Sequence, residues 1–104
     1  MDLIVEPEAE DDLKQFNEER QQYILDRLQE LEEKATSHKD SDTIKVQGRT
    51  VFKYVMKEGK KGGKDFRAVY DIRNSEVRVV AILHRDEGYD KEKLSERLWI
   101  PEIR

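Results

Sequence analysis

The chain has 104 residues, no cysteine and a formal net charge of −4, with 42% charged and 36% hydrophobic side chains. This length predicts one domain with one modest core, residues 1–104, and the lack of cysteine excludes disulfides and thiolate metal sites. The acidic N-terminus lacks the apolar segment of a signal peptide and no apolar run suits a membrane span, so we expect a cytoplasmic protein with no membrane partner.

The N-terminal third predicts a short strand and two helices. Leu3-Ile4-Val5 is the strand, and Pro7 with its acidic neighbours is typical of a helix start. That helix has apolar residues spaced four and three apart at Ala9, Leu13 and Phe16. A second helix, from about residue 18 to 34, has an apolar face of Tyr23, Ile24, Leu28 and Leu31. We expect the two helices to form an antiparallel pair that packs on a sheet.

The rest of the chain predicts strands and one last helix. Residues 50–57 alternate, with Lys53 on the side opposite to the aromatic residues. Residues 65–73 alternate as well, and residues 73–76 form a polar break of hairpin length. Residues 77–83 are almost all apolar, which is typical of a central strand with neighbours on both edges. Residues 43–47 suit a further short strand, and residues 91–98 a short helix.

The expected fold is therefore α+β. It consists of a small antiparallel β-sheet of about four strands, with the two N-terminal helices packed on the face lined by Phe66, Tyr70 and Ile72, and a short C-terminal helix.

Charge is distributed unevenly along the chain. Residues 1–33 carry 12 acidic and 3 basic side chains, whereas residues 43–85 carry 11 Lys or Arg and 4 acidic side chains. A local basic surface can meet a polyanion although the whole chain is acidic, but basic strands can also simply neutralise acidic helices. The glycine-rich loop after the strand at residues 50–57 is open to the same two interpretations: its lysines contact a phosphate backbone or keep the loop soluble. These lysines are Lys57, Lys60, Lys61 and Lys64.

Three segments carry a resemblance to a known family. Residues 66–70 read FRAVY, residues 77–83 form the apolar strand, and residues 84–89 read HRDEGY. They resemble the aromatic-Arg-x-x-Tyr strand, the central strand and the H-R-x-x-x-Tyr exit of the RelE/ParE superfamily of toxins, and more particularly its RelE ribonuclease branch. The order of the elements and the chain length also resemble that superfamily.

The resemblance implies a toxin of a type II toxin–antitoxin system that cleaves messenger RNA in the ribosomal A site. It implies attack by a ribose 2′-OH, with no metal and no other cofactor, and three partners: the ribosome, mRNA and a cognate antitoxin. Such an enzyme must activate the 2′-OH, stabilise a pentavalent phosphate and protonate the leaving oxygen, which basic side chains can do.

Carried over by position, the implied catalytic residues are Lys53, Arg67, Arg85 and Tyr89. Lys53 would act as base or charge stabiliser, Arg67 would clamp phosphate oxygens, Arg85 would be a second phosphate contact or the acid, and Tyr89 would stack on or orient a base. His84 is a secondary acid–base candidate. The expected RNA contacts are Lys57, Lys60, Lys61, Lys64, Arg78 and His84. We expect Lys53, Arg67 and Arg85 to share one concave surface away from the acidic helices.

Two other functions remain open. One is a ParE-like toxin that binds DNA gyrase without cleaving RNA, and the other is a non-catalytic relative that keeps the fold. The basic set around Arg67 favours the ribonuclease. The last helix is a second open point: an antitoxin segment packs near Leu94, Leu98 and Trp99 or displaces this helix, or else Trp99 closes the domain's own core.

Overall fold

A five-stranded sheet with helices on both faces organises the domain. The computed structural model describes residues 1–37, 41–46, 48–57, 65–84 and 91–98, with only the backbone described for Lys57, Asp65 and Lys91. The elements are β1 (Asp2–Val5), α1 (Pro7–Leu13), α2 (Glu18–Gln29), α3 (Leu31–Lys34), β2 (Ser41–Val46), β3 (Arg49–Lys57), β4 (Asp65–Arg73), β5 (Glu76–His84) and α4 (Lys91–Leu98). None of the described helices is long and apolar enough to cross a membrane.

The strand order is β1-β5-β4-β3-β2. Strands β2 to β5 form the expected antiparallel sheet, and β1 adds a fifth strand parallel to β5, so the sheet is mixed. The predicted α+β class, with the N-terminal helices packed on one face and a short C-terminal helix, is confirmed. The helix expected over residues 18–34 is divided at Glu30 into α2 and α3.

One face of the sheet, called here the helix face, packs against α1, α2 and α3. Its strand residues alternate with those of the other side, as the period of two predicts. The buried cluster contains Ala9, Leu13, Ile24, Leu28 and Leu31 from the helices and Tyr54, Met56, Phe66, Ala68, Tyr70, Val77, Val79 and Ile82 from the strands. The packing face predicted from Phe66, Tyr70 and Ile72 is therefore correct.

The opposite side, called here the α4 face, carries the second cluster. It consists of Val46, Val51, Val69, Val80 and Ala81 on the strands and Leu94 and Leu98 on α4. Leu94 and Leu98 are 3% and 2% exposed. These two leucines thus belong to the domain's own core, while Trp99 lies outside the described residues.

The turn between β4 and β5 is a tight hairpin. Asn74 and Ser75 have φ angles of 52° and 62°. Two positive φ angles at the central residues define a type I′ turn, whose twist matches that of the flanking strands. The polar break at residues 73–76 is therefore the hairpin turn that the sequence predicts.

A β-bulge in β5 changes which side its last residues face. Val69 pairs with Ala81 but Tyr70 pairs with Val79, so Val80 is an extra residue in β5. Val80 and Ala81 both lie in the cluster on the α4 face. The alternation is shifted by one residue beyond this point, which leaves Leu83 opposite Arg67 and His84 opposite Phe66.

Beyond the end of β1, two side chains form hydrogen bonds with the backbone groups along the edge of β5. The carboxylate of Asp12 accepts a hydrogen bond from the Ile82 amide at 3.0 Å, and Arg97 donates to the Val80 carbonyl at 2.9 Å. Arg97 also donates to Asp12 at 2.7 Å. This bridge ties α1 to α4 around the edge of the sheet and satisfies backbone groups that would otherwise be open to another strand.

Candidate functional site

Lys53 and Arg67 lie close together on the α4 face. In the antiparallel pair of β3 and β4, Lys53 is opposite Val69 and Arg67 is opposite Val55. Lys53 and Arg67 are therefore diagonal neighbours on one face, a relation that places residues about 7–8 Å apart. Each side chain is partly exposed. The structure brings together two of the four predicted catalytic residues.

Helix α4 covers only part of this face. Val51 and Val69 are completely buried in its cluster. Val55 and Leu83, which flank Arg67 across the strands, are partly exposed. Lys53 and Arg67 thus mark the end of the face that α4 leaves accessible, on the side of the sheet opposite to the acidic helices α1 and α2.

The two basic residues have different neighbours. Across the sheet Lys53 also pairs with Asp42 of β2, an exposed residue on the same face. The Asp42 carboxylate accepts a hydrogen bond from the Thr43 amide at 2.8 Å. Opposite charges at directly facing strand positions attract, so this cross-strand pair of an acidic and a basic residue is favourable. Arg67 instead has apolar cross-strand neighbours, and its planar guanidinium group suits two oxygens of one phosphate.

Arg78 is not part of this group. Its guanidinium donates to Glu6 at 2.8 Å and to Glu76 at 3.1 Å. The hydrogen bond to Glu6 is the main cause that raises the pKa of Arg78 above its usual value. Arg78 lies five positions before Leu83, the cross-strand partner of Arg67. Five positions correspond to about 15 Å along a strand. The predicted RNA contact is thus engaged in ion pairs at the far end of β5.

His84 lies on the helix face and not beside Arg67. Its ring is 5.4 Å from that of Phe16 in a stacked arrangement and 5.3 Å from that of Phe66 edge to face. The bulge at Val80 is the reason, because it reverses the side that His84 faces. Sequence alternation alone could not show this.

The other predicted site residues fall outside the part of the chain that the structure describes. They are Lys60, Lys61, Lys64, Arg85 and Tyr89, and for Lys57 the backbone alone is described, at the end of β3. The expectation that Arg85 joins Lys53 and Arg67 on one surface therefore stays a prediction.

Further basic side chains on the α4 face, which the sequence did not single out, hold α4 in place. Asp71 is 8% exposed and forms ion pairs with Arg49 and Arg73. Both arginines also donate to the carbonyl of Leu98, at 3.0 and 2.7 Å. Cations at a helix C-terminus are favourable because the carbonyl end carries partial negative charge. In the sequence Asp71 lies on the side of the alternation that also carries Arg67 and Val69, and no feature there marks it as a contact of α4.

The described architecture is that of a small α+β domain with a mixed sheet, helices on both faces and a basic pair at the open end of one face. The same fold occurs in the crystal structure of the intact E. coli RelBE toxin–antitoxin complex, one chain of which matches with a TM-score of 0.57 and 17% identity over 83% of this chain and 98% of that chain. No curated protein matches the sequence.

The family follows from the sequence. The model of the ParE toxin of the type II toxin–antitoxin system parDE matches residues 3–89. The chain belongs to this family of toxins, and the predicted membership of the RelE/ParE superfamily is confirmed.

Proposed function

We propose that this toxin cleaves messenger RNA on the ribosome without a metal ion. The observation that carries the proposal is that Lys53 and Arg67 are diagonal neighbours at the open end of the α4 face. A phosphate placed between these two cations accepts charge-assisted hydrogen bonds from the ammonium group and from the guanidinium group. The place of action is the cytoplasm, where ribosomes and mRNA are available.

The proposed chemistry uses the RNA as its own nucleophile. The ribose 2′-OH loses its proton, its oxygen bonds to the adjacent phosphorus, and the bond from phosphorus to the 5′ oxygen breaks. The leaving oxygen takes up a proton, and the products are a 2′,3′-cyclic phosphate and a 5′-OH end. Arg67 stabilises the pentavalent phosphate, and Lys53 acts as base or as a second charge stabiliser.

The remaining roles follow from the sequence motif. Arg85 supplies the second phosphate contact or the acid, and Tyr89 stacks on or orients a base. The loop lysines Lys57, Lys60, Lys61 and Lys64 contact the RNA backbone. Arg78 is already engaged with Glu6 and Glu76, so its contribution to RNA binding is expected to be smaller than theirs.

We further propose a cognate antitoxin as the protein partner. The solved structure with the same fold is a complex of a toxin with its antitoxin. In this chain the apolar side of α4 is already buried by the sheet, through Leu94 and Leu98. An antitoxin segment that binds at this place must therefore displace α4, and the expected consequence is a rearranged surface beside Lys53 and Arg67.

The test is induced expression of the toxin with mapping of RNA 5′ ends, followed by cleavage on purified translating ribosomes. We expect Arg67→Ala to reduce the rate by a factor of roughly 10²–10³, the usual cost of losing a preorganised donor to a developing oxyanion. Lys45→Ala is the matched control, because Lys45 is exposed, belongs to the same sheet and pairs on the helix face. Pretreatment of the protein with EDTA should leave the rate unchanged. An Arg67→Ala variant as fast as Lys45→Ala would exclude Arg67 from the mechanism.

Gyrase inhibition is the second candidate, favoured by the family model that matches residues 3–89. It predicts growth inhibition with no new RNA ends and loss of supercoiling by purified gyrase. The two assays applied to one preparation distinguish the candidates. A toxin that inhibits growth but affects neither RNA nor gyrase would contradict both.

A further inference from the structure

Three aromatic rings meet at the end of the sheet where the predicted phosphate contacts lie. Phe16 follows α1, Phe66 is the second residue of β4, and His84 is the last residue of β5. Their ring centroids are 5.2, 5.3 and 5.4 Å apart. We call Phe16, Phe66 and His84 the aromatic triad. Such distances and edge or offset orientations are those of favourable aromatic pairs.

The triad joins the two strands from which the predicted phosphate contacts extend. Phe66 directly precedes Arg67, and His84 directly precedes Arg85 in the sequence. Phe66 and His84 are also direct partners across β4 and β5. A change in the packing of either ring therefore shifts the backbone next to one of the two arginines relative to the other.

The triad is held from the helix side as well. Phe66 is completely buried, and the Arg20 guanidinium carbon lies 6.0 Å from the centre of its ring. Tyr23 packs against the same ring with centroids 6.3 Å apart. Aromatic contacts thus fix β4 and β5 relative to α1 and α2. The ring of His84 completes this set of contacts.

We infer that His84 is a positioning residue, which acts through the shape and stacking of its ring against Phe16 and Phe66. It fixes the end of β5 against Phe16 and Phe66, and so sets the place from which the segment carrying Arg85 departs. This inference rests on the proposed function for its catalytic consequence, because the reaction needs both arginines at one phosphate. This role differs from the acid–base and RNA-binding roles expected for His84 from the sequence, which stay predictions.

Two substitutions distinguish the contribution of the His84 ring from that of its nitrogen atoms. His84→Phe keeps a flat aromatic ring without a titratable group, and His84→Ala removes the ring. We expect His84→Ala to lower kcat by about 10- to 100-fold, the scale of a displacement of about 1 Å at a reacting centre, with a smaller effect on KM. His84→Phe should restore kcat to within about threefold of the wild type, with an unchanged pH profile. Equal loss of kcat in both folded variants would show that the nitrogen atoms are needed and would overturn the inference.

A core variant of similar stability loss controls for general destabilisation. Ile24→Ala is suitable, because Ile24 is fully buried in α2 and belongs to the same cluster without touching the proposed chemistry. If Ile24→Ala lowers kcat as much as His84→Ala at equal loss of thermal stability, His84 has only a structural role and the inference fails.

A second measurement does not depend on RNA cleavage. In isotope-labelled protein, the amide signals of Arg67 and of residues 85–89 should shift in His84→Ala and return towards the wild-type positions in His84→Phe. Unchanged signals in His84→Ala would overturn the positioning role. A wild-type toxin that cuts no RNA would instead refute the proposed function, while the amide signals still decide the role of His84.

Discussion

The bridge between Asp12 and Arg97 should be a large single contribution to the stability of this domain. The two side chains are only 18% and 14% exposed, and Arg97 donates to the carboxylate at 2.7 Å and to the Val80 carbonyl at 2.9 Å. Removing one partner of a buried ion pair costs about 3–5 kcal/mol, and hydrogen bonds to charged groups contribute about 1.5–3 kcal/mol. The partial exposure lowers this cost, so we expect Arg97→Ala to reduce the free energy of unfolding by about 2–4 kcal/mol.

The partner variant should behave in the same way. Asp12→Ala removes the acceptor of the Ile82 amide and leaves Arg97 without its carboxylate, with an expected loss of about 2–4 kcal/mol. The double variant should lose less than the sum of the two, by a coupling of about 1–3 kcal/mol. Urea unfolding followed by circular dichroism measures all three values.

Neighbouring residues supply matched controls for this cycle. Asp11 and Glu96 are exposed residues next to Asp12 and Arg97, and their replacement by Ala should change the free energy of unfolding by no more than about 0.5 kcal/mol. If the loss of unfolding free energy in the double variant equals the sum of the two single losses, the carboxylate and the guanidinium do not stabilise each other and the argument is refuted.

Three further outcomes are expected. Ser75→Gly should raise the free energy of unfolding by about 1 kcal/mol in the same urea assay, because Ser75 has a φ of 62° in the hairpin turn. Asp71→Asn should lower it by about 2–4 kcal/mol, since a nearly buried carboxylate faces two arginines. Burial raises the pKa of Tyr54 and of Tyr70 above 10, so both keep their protons longer in the folded state. The contribution of these tyrosines to the free energy of unfolding should therefore be fully present below about pH 10. Above that pH the free energy of unfolding should fall by at most about 1.4 kcal/mol per pH unit for each tyrosine. Tyr70→Phe should reduce this slope.

Alternation within the strands could be predicted from the sequence alone. The direction of a side chain in a strand depends on the local backbone, which repeats every two residues. The sequence therefore separates Lys53 and Arg67 from Tyr54 and Phe66, and the structure places these pairs on opposite faces of the sheet. The apolar stripe of α2, which includes Ile24 and Leu28, was predictable for the same reason, since helical periodicity is also local.

The surroundings of the predicted site residues depended on the tertiary structure. Arg78 and Glu6 are 72 positions apart, and their ion pair exists because β1 lies parallel beside β5. The sequence predicted β1 as a strand but could not show its neighbour. The same holds for Arg97, whose partner Asp12 is 85 positions away.

His84 shows the limit of local patterns most clearly. One extra residue at Val80 reverses the side on which His84 lies, and it moves the ring from the neighbourhood of Arg67 to the aromatic contacts with Phe16 and Phe66. Both faces of β5 must be packed, by α4 on one side and by the N-terminal helices on the other, and the bulge puts Val80 and Ala81 in the cluster on the α4 face and Ile82 in the cluster on the helix face. That requirement arises only when distant segments meet, so periodicity within the strand determines the sides up to the bulge and tertiary packing determines them after it.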